Sequence, residues 1–81
     1  MRRPPIQVLH FVLRDDHVEL HHLLKHVGVA ASGGEGKAIV ASGCVAVDDV
    51  PESRKTAKIR AHQKVTLPGV TIHVHAPDGA P

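Results

Sequence analysis

Apolar and polar positions along this chain change rhythm twice, and each rhythm predicts a different element. "IQVLHFVL" at 6–13 is a short apolar run rich in strand formers, and reads as a β-strand. In "DDHVELHHLLKHVG" the period lengthens. Leu20, Leu23, Leu24 and Val27 recur at i, i+3, i+4 and i+7, one face of a helix. That spacing predicts a first helix over 17–27, capped by Asp15 or Asp16 and ended by Gly28. From Val45 the period drops to two. Val45 and Val47 alternate up to a tight turn at Asp48-Asp49, and the chain returns through Val50. Ile59 alternates with Lys58 and Arg60, Val65 and Leu67 with Lys64 and Thr66, and Val70, Ile72 and Val74 with Thr71, His73 and His75. The sum is an α+β domain: a helix pair packed beside a small, mostly antiparallel sheet.

Between these regions lies "SGGEGKA" at 32–38, whose glycines and lysine suggest a phosphate-cradling loop. The spacing excludes one. Counting back from Gly36 finds Ala31 where the first glycine belongs, and Ala38 stands where a magnesium-binding hydroxyl is needed. Ser32 followed three residues later by Glu35 is instead a capping box, which opens a second helix over 33–42. This helix is expected to bury Ala38 and Ile39, with Val40 beside them, and to stop at Gly43.

With 81 residues there is room for one domain, set at 6–75, between Pro/Gly-rich ends at 1–5 and 76–81 that are expected to be loose. A single Cys44 excludes an internal disulfide and fits a reducing compartment. The opening "MRRPPIQVLHFVL" fails as a secretion signal, because Gln7 and His10 interrupt the apolar run and "RDD" replaces small cleavage-site residues. It is also too short to span a membrane, so a cytoplasmic location is expected.

Net charge is only +2, but it is unevenly distributed: Lys37, Arg54, Lys55, Lys58, Arg60 and Lys64 fall in one stretch. Such a stretch is either an ordinary solvated face or a surface for a polyanion. Phe11 is the sole aromatic, so base stacking on aromatic platforms is not available. Recognition by shape and phosphate contact remains, which suits folded RNA better than a DNA sequence read by one helix. The eight histidines raise the question of metal. His17/His21 and His22/His26 stand at i, i+4, and His73/His75 share a strand face, as chelating pairs can. Yet "HVELHH" lacks the H-E-x-x-H spacing and no Cys-x-x-Cys exists, so no specific metal site, cofactor or catalytic residue is expected.

In order, "LLKHVG", "SGGEGKAIV", a glycine, "VAVDDV" and "ESRKTAKI" resemble the S4-like RNA-binding domain, in particular its small stand-alone bacterial members. The resemblance spans about residues 6–75. It implies the αL RNA-binding motif, two helices beside a curved sheet, acting without catalysis on structured RNA such as ribosomal RNA. Ribosomal or RNA-processing proteins are the protein partners it suggests. Carried over by position, it nominates Lys37 on the second helix and Arg54, Lys55 and Lys58 in "RKTAK" as RNA contacts. Arg60 and Lys64 extend the set by charge, and Lys25 joins it from the end of the first helix. Asp48-Asp49 replace the family's usual Asn-Gly turn, and His62 replaces a turn glycine. Two other readings compete: a protein-interaction adaptor using the same basic face, and a histidine-rich metal-binding protein.

Overall fold

The helical stripe and the alternating strands close on one another as a single core. Leu20, Leu23, Leu24, Val40, Val45, Ile59, Val65, Ile72 and Val74 are all fully buried, and Leu13 and Ala30 nearly so. The computed structural model describes residues 6–77, so the termini expected to be loose lie largely outside it.

In chain order the elements are β1 (Gln7–Val12), β2 (His17–Glu19), α1 (Leu20–His26), α2 (Gly33–Ala41), β3 (Ala46–Val47), β4 (Val50–Pro51), β5 (Lys58–Arg60), β6 (Lys64–Leu67) and β7 (Val70–His75). Five strands form one sheet in the order β1-β7-β6-β3-β4. Its pairs are antiparallel except β1 with β7, which run parallel with His10 opposite His73. The α+β architecture with two helices and a mostly antiparallel sheet is the one the sequence predicts.

Three local expectations are corrected. The first helix begins at Leu20, not at residue 17, because His17–Glu19 form β2 and pair antiparallel with β5 in a second, two-stranded sheet. Val18 faces Ile59 across that pair, so a half-buried strand contact outweighs three more residues of helix. Neither Asp15 nor Asp16 caps the helix. The Asp16 carboxylate accepts from His17 Nδ1 at 2.8 Å, while the first helical N–H groups donate to the chain: Leu20 N to Ala57 O at 2.9 Å and His21 N to Lys55 O at 3.0 Å. On α2, Ala38 is exposed and Gly36 takes the buried position instead.

Gly36 is required there by close approach. A Cβ at this position would stand 2.6 Å from the His21 carbonyl oxygen, so the two helices pack backbone to side-chain-free backbone. Ser32 caps α2 as expected, with Glu35 N donating to Ser32 Oγ at 3.2 Å, while the Glu35 carboxylate reaches one residue beyond the cap and accepts from Ala31 N at 3.1 Å.

The β3–β4 turn carries Asp48 and Asp49 at φ 50° and 69°, the double left-handed geometry that Asn-Gly usually supplies. Asp48 offsets the strain by accepting from Lys64 N at 2.9 Å, which ties the turn to β6. His62 sits at φ 70°, as its place at a family turn glycine implies.

Candidate nucleic-acid interface

The segment from Glu52 to Lys58 leaves β4, passes the start of α1 and enters β5. Its backbone is anchored from the helix side. Besides the two N–H bonds that start α1, the ring of His21 donates from Nδ1 to Lys55 O at 2.6 Å, so one carbonyl accepts twice. A carbonyl can only accept, so His21 Nδ1 carries a proton, and Nε2 is the ring nitrogen that faces Glu19. His21 is 4% exposed and is the one buried polar side chain among the described residues. Its place was legible in hindsight, since Leu20, His21 and Leu24 share a stripe at i, i+1 and i+4.

Along this anchored segment the cations point outward. Arg54, Lys55 and Lys58 are exposed, and Arg54, Thr56, Ala57 and Lys58 line an open hollow of about 350 Å³. Lys58 and Arg60 flank the buried Ile59 on β5, the alternation read from the sequence. Lys37 is exposed on α2 and Lys25 on the last turn of α1.

The seven predicted residues divide by their electrostatic partners. Arg54 forms a fork with Glu52, Nε to Oε2 at 3.2 Å and Nη2 to Oε1 at 3.1 Å. The guanidinium holds the Glu52 carboxyl below its ordinary range, and the carboxylate in turn raises Arg54. Arg60 lies 3.5 Å from Asp16 and Lys64 3.3 Å from Asp49, and Lys64 belongs to the five-stranded sheet rather than to the hollow. The lowered Asp16 carboxyl owes its shift first to the His17 hydrogen bond and only then to the cations. Among the described residues, Lys25, Lys37, Lys55 and Lys58 make no ion pair with a carboxylate. Sequence patterning assigns Asp16 a capping role and Asp49 a turn role, and does not show that they or Glu52 pair with these cations; Glu52 two residues before Arg54 is the one local signal.

A family model described as "S4 domain" matches residues 11–75 of the chain. This chain belongs to the S4 domain family. That family is one of RNA-binding domains rather than of enzymes. Over 60 residues the S4 chain is 45% identical to a protein of Escherichia coli (strain K12) named "Putative RNA-binding protein YbcJ", a match covering 74% of this chain and 86% of that one. YbcJ of Shigella flexneri matches with the same identity and coverage. The solution structure of YbcJ from E. coli superposes with a TM-score of 0.69 at 39% identity, covering 94% of this chain and 98% of that one. That structure is described as revealing an αL motif involved in RNA-binding. The S4 assignment and the αL architecture predicted from "LLKHVG…SGGEGKAIV…VAVDDV" therefore stand. No helix among the described residues is long and apolar enough to cross a membrane.

Proposed function

We propose that this S4-family protein binds structured RNA in the cytoplasm, ribosomal RNA being one such target, through shape and phosphate contacts and without catalysing a reaction. The observation that carries the reading is the mounting of Lys55 and Lys58. Both are exposed and free of carboxylate partners among the described residues, on a segment whose carbonyls are bound by the first turn of α1. A backbone fixed in this way presents its cations at a set spacing, which is what shape-selective phosphate recognition needs. Arg54 and Lys58 line the shared hollow, and the exposed Lys37 of α2 is assigned to the same RNA-binding set. Lys25, Arg60 and Lys64 are assigned supporting phosphate contacts outside the hollow.

Arg54 has two roles open to its planar head. Its fork faces the half-buried Glu52 in the free protein, and a phosphate can replace that carboxylate with the same bidentate geometry. The lysines act as point charges. Ribosomal or RNA-processing proteins are the natural neighbours of such a module.

The test is a titration against a labelled ribosomal-RNA hairpin, with a duplex DNA of equal length alongside. Preference for the hairpin at micromolar or tighter affinity supports the reading. Equal, weak binding to both reduces the surface to a general polyanion site. With five phosphates engaged, the log–log salt slope is expected at about −3.5 to −4.5.

A further inference from the structure

The stretch "HVELHH", which lacks a zinc-protease spacing, contributes a different donor set once folded. The Glu19 carboxylate lies 3.9 Å from His21 Nε2 and 3.5 Å from His22 Nδ1, and the ligand atoms of all three residues fall within 4.8 Å of one another. Donor atoms around one tetrahedral zinc ion stand about 3.3 to 3.6 Å apart, given zinc–nitrogen and zinc–oxygen distances of about 2.0 to 2.2 Å. We propose that Glu19, His21 and His22 form a zinc site at the junction of β2 and α1.

Two further observations point the same way. First, His21 is prepared as a ligand. Its Nδ1–H is bound by the Lys55 carbonyl, so Nε2 is the ring nitrogen left to ligate, and it lies 3.9 Å from the Glu19 carboxylate. An outer partner that fixes tautomer and ring orientation is the usual companion of a metal-binding histidine. Second, Glu19 stands opposite Lys58 in the β2–β5 register, where a cross-strand ion pair is the expected arrangement. No such pair forms among the described residues, and the carboxylate turns to the two imidazoles. His22 and Glu19 are 52% and 38% exposed, so both can rotate to draw donor atoms now within 4.8 Å of one another to the spacing zinc requires, and a solvent-facing coordination position stays open.

The pairs suggested by sequence spacing are different ones. His17 lies on β2, so His17 and His21 do not share a helix face. A second imidazole group lies on the five-stranded sheet, where His10 Nδ1 is 2.8 Å from His75 Nε2 and the His10 and His73 rings are 5.5 Å apart. Among the described residues it has no carboxylate partner, and its hydrogen bond runs from one imidazole to another. It serves as the control.

The inference is independent of RNA binding, and its test involves no RNA. The chelator-treated full chain is titrated with zinc chloride by calorimetry, and the imidazole nitrogens are followed by NMR. One zinc ion per chain is expected at micromolar affinity or tighter. His21 Nε2 shifts on binding while the Nδ1–H signal persists. His22→Ala and Glu19→Gln, both at exposed or half-exposed positions, each weaken binding by about tenfold or more, and His75→Ala leaves it unchanged. Absence of binding, indifference to His22→Ala and Glu19→Gln, or loss through His75→Ala overturns the proposal. His21 itself is left intact, because removing it would also unseat the Lys55 carbonyl.

Discussion

Lys55 and Lys58 on one side, and Arg60 and Lys64 on the other, come from the same basic run of the chain but meet opposite fates. The first two belong to a segment whose backbone is bound by α1 while their charges have no carboxylate partner among the described residues. The second two are paired with Asp16 and Asp49, which come from distant points of the sequence. Availability of a cation is therefore decided by what the fold brings next to it, not by the local density of positive charge. An exposed ion pair of this kind contributes little to stability, about 0 to 1 kcal/mol. It does lower the field that a phosphate would meet.

The comparison can be broken most severely at Gly36. Gly36→Ala forces the two helices apart at the His21 carbonyl, with an expected loss of about 1 to 3 kcal/mol in urea unfolding. The loss should be local as well as global: hydrogen exchange at the Leu20 and His21 amides accelerates more than at the β6–β7 amides. Uniform acceleration would mean that the α1 anchor is not a separate unit.

A smaller effect sharpens the contrast directly. Lys55→Ala/Lys58→Ala should flatten the salt slope for RNA by roughly 1.5 to 2 units. Arg60→Ala/Lys64→Ala should change it by less than about half as much, since these cations already face carboxylates. Equal changes from the two double variants would show that ion pairing does not decide which cations meet RNA.

The smallest effect concerns the fork between Glu52 and Arg54. A carboxyl held below its ordinary value of 4.5 binds a proton less readily in the folded chain than in the unfolded one. Its contribution to stability is thus present above that value and disappears as pH falls through the lower, folded one. Glu52→Gln should make the decline of stability below about pH 4.5 shallower by a small margin, because the Arg54 partner is largely exposed to solvent. An acid limb steeper than that of the parent would reverse the assignment.

The order of elements was legible because each rests on local patterning. The stripe of Leu20, Leu23 and Leu24, the Ser32–Glu35 cap, and the alternation around Ile59 and Ile72 depend on neighbours within a turn or a strand. The start of α1 was not legible. Asp15 and Asp16 are good capping residues, but β5 offered His17–Glu19 a strand partner, and the carbonyls of Lys55 and Ala57 replaced the cap. Gly36 carried no local signal of burial either, since its role is set by the His21 carbonyl on another helix.

By itself, then, the amino-acid order determined the S4-type succession of helices and strands, the left-handed turn positions, and the candidate cations. Periodicity, capping and turn chemistry all act over a few residues. Only tertiary structure decided which cations are neutralised, how the Lys55 segment is anchored, and that Glu19, His21 and His22 converge. Those outcomes depend on side-chain distances of a few ångströms, most of them between residues far apart in the chain, and local patterning does not specify such distances.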